Sequence, residues 1–212
     1  YQQRNQWSHR DLLRLAHPRG PTAEHKQIFE WVCRGPEKLP TLEAIAPALA
    51  SIVGFELAKT ADEKTLAKLI QQYRLPLEAI PTNTRSAQVW EALLPMLGLT
   101  ALIRNLGNLS KAGVLAKGKW DVIEQVANRL TSLEQLKKAR IHPIALLAAL
   151  LTYQQGHGIR GHGEWEVVPE VVDALDRAFY LAFQTVEPTA KRLVLALDVS
   201  GSMRYYAIAG IP

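Results

Sequence analysis

The sequence holds a single cysteine, Cys33, in 212 residues. No intramolecular disulfide can form, which sets aside a disulfide-stapled secreted module and fits a reducing cytoplasm. Cys33 lies between Val32 and Arg34, close to Trp31, and is expected to be a small buried hydrophobe. Long hydrophobic runs are missing as well. The longest, Ile144 to Leu151, is far too short to span a bilayer. No segment has the layout of a signal peptide, and no membrane association is expected. Catalytic patterns are also absent. The six histidines include no His-x-x-x-His or His-Glu pair, and Ser200 and Ser202 sit in no recognisable nucleophile elbow. The expectation is a protein that is not an enzyme.

Acid is absent from two long stretches. Ala92 to Trp120 has no Asp or Glu but carries Arg104, Lys111, Lys117 and Lys119. Lys137 to Gly163 is also free of acid and carries Lys137, Lys138, Arg140 and Arg160, with His142, His157 and His162. The overall charge is only +5, so the distribution matters more than the total. Clustered cations without interleaved acid are the electrostatic footprint of a phosphate backbone. Other readings stay open. Lys137-Lys138-Ala139-Arg140 also fits a helix C-terminus whose charges complement the dipole, and His142-Pro143 also fits a plain helix start.

What is present reads as helices. Apolar residues make up 48% of the chain and charged residues 21%, the balance of a folded domain with a sizeable core. Ser8 to Asp11 is a capping box ahead of Leu12, Leu13 and Leu15. His25 to Arg34 follows. Thr41 opens a third helix running to about Thr60, and Thr60-Ala61-Asp62-Glu63 caps a fourth. Helical spacing recurs around Trp90, Leu102 and Val126, and Ser132 to Gln135 is a further capping box. Ile144 to Tyr153 is apolar nearly all round and predicts a central, buried helix. The expected fold class is mainly α: stacked, HEAT-like helical repeats over residues 1–186, without a strict sequence period.

The character changes at Glu187-Pro188-Thr189. Leu193 to Leu197 is a short apolar run that reads as a buried parallel strand. Asp198-Val199-Ser200-Gly201-Ser202 follows it directly. A carboxylate and two hydroxyls at alternate positions after a strand offer hard oxygen ligands suited to Mg²⁺. The competing reading is that Asp198 and Ser200 cap a following helix. Residues 187–212 are therefore expected to begin an α/β domain that this chain does not complete. The chain starts at Tyr1 rather than Met and ends ten residues after Ser202, so it is read as part of something longer.

Several motifs then lose their generic character. Trp7 to Leu15, Leu99 to Gly107, Lys137 to Pro143 with Thr152-Tyr153, Gly156 to Gly161, and Thr185 to Thr189 leading into Asp-Val-Ser-Gly-Ser-Met resemble, in order, the Ro autoantigen family, and most of all a bacterial Ro orthologue. The final strand and loop resemble the start of a von Willebrand factor A domain, whose metal site begins with Asp-x-Ser-x-Ser. The resemblance implies that a ring of HEAT-like repeats forms the TROVE module and is closed by the A domain as a monomer. It implies Y RNA on the outer ring surface, single-stranded 3′ ends of misfolded noncoding RNAs in the ring hole, and RNA quality control in the cytoplasm. A Y RNA tether to polynucleotide phosphorylase is a further implied partnership. Carried over position by position, His142 matches a family position associated with Y RNA, and Lys137, Lys138 and Arg140 match basic positions around it. Arg160 and Arg104 are further RNA-binding candidates, although Arg104 and Asn105 also fit as residues holding a helix end. Asp198, Ser200 and Ser202 match the metal loop for Mg²⁺. The remaining ligands would come from later loops beyond this chain.

The leading expectation is a noncatalytic RNA-binding protein. The alternative is a helical-repeat protein-interaction scaffold with a metal-dependent A domain. Binding that weakens steeply with salt marks the first, and Mg²⁺-dependent partner binding that survives nuclease marks the second.

Overall fold

Short polar side chains ahead of apolar runs set the helix starts. The computed structural model describes residues 6–38, 49–158 and 163–202. Helix α1 (His9–Ala16) opens on the expected capping box. Ser8 Oγ accepts from the Asp11 N–H at 3.2 Å, and Asp11 Oδ2 accepts from the Ser8 N–H at 2.9 Å. Thr22 caps α2 (Ala23–Arg34). Helix α3 (Ala50–Ala58) follows; its expected cap, Thr41, lies outside the described residues. Asp62 caps α4 (Glu63–Tyr73) by accepting from the Thr65 N–H at 2.7 Å.

The chain divides into two compact units, Tyr1–Leu93 and Leu94–Pro212. The division falls inside the 1–186 segment that the sequence presented as one run of helices. In the first unit α4 packs on α3 and on α5 (Ala87–Leu93). Leu66, Ile70, Ile80, Val89, Trp90 and Leu93 form its core. Helices α1 and α2 bury no residue completely, although they pack on each other. Cys33 is accordingly half-buried rather than buried, with a free thiol.

The second unit contains α6 (Leu99–Lys111), α7 (Trp120–Leu130), α8 (Leu133–Ala139), α9 (Pro143–Gln154) and α10 (Pro169–Ala182). Helix α10 is the hub and packs chiefly on α9 and α7. Leu102, Leu106, Val126, Leu136, Leu146 and Leu175 are fully enclosed. Arg129 of α7 donates to Leu94 O at 2.8 Å and to Leu97 O, fastening the turn that precedes α6. Burial lowers its pKa, but a guanidinium stays charged in proteins. The segment after α9 folds back through backbone bonds from Gly158 N to Gly163 O and from Trp165 N to Gly156 O, both 2.9 Å. This brings the Trp165 ring over Gly107 of α6, where a Cβ would lie 2.8 Å from the ring. Glycine at 107 is thus required by close approach. The expected class, mainly α with pairwise-packed helices, is the one observed. No helix among the described residues is long and apolar enough to cross a membrane.

Two expectations need correction. Helix α9 is not buried all round. Pro143, Leu146, Leu150 and Tyr153 face the core, while Ile144, Leu147 and Leu151 form an exposed apolar stripe, with Ile144 64% exposed. An all-apolar composition does not by itself say which face finds a partner. The strand expected over 193–197 is not formed either. These residues are unpaired, and Val194 is 99% exposed. A parallel strand needs neighbours for its hydrogen-bond ladder, and none of the described residues supplies one.

Candidate nucleic-acid interface

The turn between α8 and α9 gathers four of the six RNA-binding candidates singled out by sequence: Lys137, Lys138, Arg140 and His142. Three apolar anchors fix it: Leu136, Ile141 and Pro143 are all buried. Arg140 ends α8 in the left-handed conformation, φ 50°, and its N–H bonds to the Leu136 and Lys137 carbonyls. The Ile141 N–H returns to Leu136 O at 3.2 Å. His142 then opens α9, with its Nδ1 accepting from the Ile144 N–H at 3.2 Å and Pro143 at the first helical position. In the neutral ring this bond leaves the proton on Nε2, as a donor on an exposed residue.

The anchored turn holds Lys137, Lys138, Arg140 and His142 on the surface. Lys137, Lys138 and Arg140 make no ion pair or side-chain hydrogen bond with any described residue. Lys137, Arg140 and His142 line one groove of about 510 Å³, whose opposite wall is Gln184, Thr185 and Val186 after α10. Among the described residues neither wall carries an acid. Unpaired cations around an acid-free groove can bind phosphate without first breaking an internal salt bridge.

Arg104 stands apart from this groove. It is exposed on α6, at a cleft of about 430 Å³ between α6 and α9. Ile141 lines both the cleft and the groove, so the two adjoin. Asn105, weighed with Arg104 as a residue holding a helix end, donates to Ala101 O at 2.8 Å within α6. Arg160 lies outside the described residues.

Asp198, Ser200 and Ser202 lie together. Asp198 Oδ1 accepts from the Ser200 N–H at 2.9 Å, and the two serine hydroxyls are 2.9 Å apart. The backbone hydrogen bond from Ser200, then its side chain, lowers the Asp198 pKa, which favours an ionised ligand. Three converging hard-oxygen donors fit Mg²⁺ in kind but make half of an octahedral set. No cluster of three or more His, Cys, Asp or Glu suited to a metal occurs among the described residues.

Sequence reading missed the wall opposite the basic turn, Gln184 to Val186, because neutral residues give no charge signal. It also missed the cleft beside Arg104. A signal for it was present: Ala145, Ala148, Ala149 and Thr152 are small residues at helical spacing on α9, facing away from the core stripe.

These features define a class: a helical-repeat protein with a preformed, unpaired basic groove. The TROVE domain model matches residues 77–151. The chain is 46% identical over 213 residues to the RNA-binding protein RO60 of Deinococcus radiodurans, covering 100% of this chain and 39% of that protein. It is 33% identical over 246 residues to the RNA-binding protein RO60 of Caenorhabditis elegans, covering 96% of this chain and 38% of that protein. The crystal structure of the Deinococcus radiodurans Ro protein matches with a TM-score of 0.88 at 46% identity, over 99% of this chain and 42% of that one. The chain belongs to the Ro family and spans about two fifths of the length of the relatives it matches.

Proposed function

We propose that this chain is the RNA-binding helical part of a noncatalytic Ro protein. The observation that carries the proposal is the groove bounded by Lys137, Arg140 and His142, with its cations unpaired and held by a turn with three buried apolar anchors. The two relatives named as RNA-binding proteins support it. Lys and Arg provide phosphate attraction, and His142 provides an Nε2–H donor. In the finer reading, Y RNA lies along this surface on the outside of a monomeric ring. Single-stranded 3′ ends of misfolded noncoding RNAs enter the ring hole, and a Y RNA can tether polynucleotide phosphorylase for cytoplasmic RNA quality control. Residues 1–186 would form the ring segment and 187–212 the start of the A domain. There Asp198, Ser200 and Ser202 would hold Mg²⁺, which offers a Lewis-acidic position to a partner's carboxylate.

The test is filter binding of a structured RNA with a single-stranded 3′ tail to the full-length protein. Affinity is expected to fall by orders of magnitude between about 50 and about 200 mM salt. Absent or salt-independent binding overturns the proposal.

His142→Ser separates recognition from folding. Serine is a better N-cap than histidine and can take over the bond to the start of α9. Helical content and melting temperature should therefore stay unchanged while Y RNA affinity falls. Circular dichroism and filter binding on the same sample check both halves. Unchanged affinity would remove His142 from the interface.

A further inference from the structure

We propose that the cleft between α6 and α9 receives one unpaired nucleotide of a bound RNA, its base inside and its phosphate on Arg104. The inference rests on the RNA-binding reading and adds a base-accepting site to it.

The size is the first reason. About 430 Å³ falls in the usual range for small-ligand sites, roughly 300–1,000 Å³. One nucleotide fits such a space, and a helix does not. The walls are the second reason. On the α9 side Ala148 and Ala149 present only methyl groups, which leaves room for a flat ring against the helix. The end near Trp165 is fixed: its Nε1–H donates to Tyr153 O at 3.1 Å, and its ring stacks on that of Tyr153 at 6.1 Å.

Polar chemistry at the cleft is the third reason. The Thr100 and Thr152 hydroxyls have no hydrogen-bond partner among the described residues. Asn108 donates through Nδ2 to Asn105 Oδ1 at 2.9 Å, leaving its own Oδ1 to accept. Hydroxyls that donate or accept, beside an amide oxygen that accepts, suit the edge of a nucleobase.

Charge decides the ligand class. Among the described residues Arg104 is the one cation lining the cleft, no carboxylate lines it, and Arg104 has no ion pair. A neutral apolar ligand would leave that charge unused, and a cationic one would meet repulsion. The shared wall at Ile141 joins the cleft to the groove of Lys137, Arg140 and His142. A backbone following the groove can therefore turn one base into the cleft. A paired base stays within its stack and cannot enter, so the site selects for an unpaired nucleotide.

The experiment compares two RNAs on the full-length protein: a hairpin carrying one bulged nucleotide and the same hairpin fully paired. Ala149→Leu fills the cleft from a half-exposed position. It should weaken the bulged RNA roughly ten- to a hundredfold, the usual value of one accommodated base. Binding of the paired hairpin and its salt slope should stay unchanged. Arg104→Gln needs no repacking and guards against misfolding of the first variant. It should also weaken the bulged RNA selectively. If both variants bind both hairpins as the wild type does, the cleft is not a nucleotide site, while the RNA-binding reading stands. If the wild type binds neither hairpin, both readings fall.

Discussion

Tyr153→Ala is expected to destabilise the second unit by about 4 kcal/mol, within the range for deleting a large buried ring. Tyr153 is 2% exposed and has three separate jobs. Its ring stacks on Trp165 at an interplanar angle of 21°. Its phenol oxygen lies 2.7 Å from Ser110 Oγ and accepts from the Val168 N–H at 3.3 Å. Desolvation by burial raises the phenol pKa, so the hydroxyl keeps its proton and can donate to Ser110. Ser110 and Val168 are themselves buried, and truncation leaves their polar groups without partners. Tyr153→Phe keeps the ring and removes only the oxygen, so it should cost about 1–3 kcal/mol. Hydrogen exchange reads these losses locally. Amides of α9 and α10 should exchange two to three orders of magnitude faster in Tyr153→Ala and about tenfold to a hundredfold faster in Tyr153→Phe. If Tyr153→Phe exchanges like the wild type, the hydroxyl adds nothing and the ring alone holds the helices.

Tyr153 also marks the limit of what could be read from sequence. Its place in an apolar run predicted burial, which is correct. Nothing local predicted Ser110 and Val168, which are distant in sequence and reach it only through the packing of α6, α9 and α10. Helix starts were legible because a cap is a local bond: Ser8, Asp62 and Ser132 all accept from an N–H three residues on. The faces of α9 were not legible, since periodicity vanishes when every position is apolar. The same contrast holds at the interface. Lys137, Lys138, Arg140 and His142 were visible as charge in an acid-free stretch. The wall at Gln184 to Val186 became visible only when the end of α10 was placed beside the start of α9. The expected strand at 193–197 failed for a non-local reason too, because strand pairing is a property of neighbours and not of the run itself.

The double variant Lys137→Ala, Arg140→Ala should weaken RNA binding on the order of ten- to a hundredfold at about 0.1 M salt, and it decides between the two readings of the basic turn. Each lost phosphate contact should flatten the plot of log affinity against log salt by about 0.7 to 0.9. Two lost contacts should therefore reduce the slope by about 1.5. Folding should change little, because both side chains are exposed and make no bond within the described residues. The competing reading makes the opposite forecast. Lys137 lies in the last turn of α8, where a cation complements the helix dipole by about 0.3–1 kcal/mol. If that is its whole role, the double variant loses stability of that size and keeps both its RNA affinity and its salt slope. Arg34→Ala supplies the control: Arg34 stands 3.9 Å from Glu30, so its charge is already paired, and its removal should leave the slope unchanged. A slope that drops for the double variant but not for Arg34→Ala ties the salt dependence to this groove rather than to net charge. Equal drops in both would mean that RNA senses only the overall positive charge and that the groove is not its site.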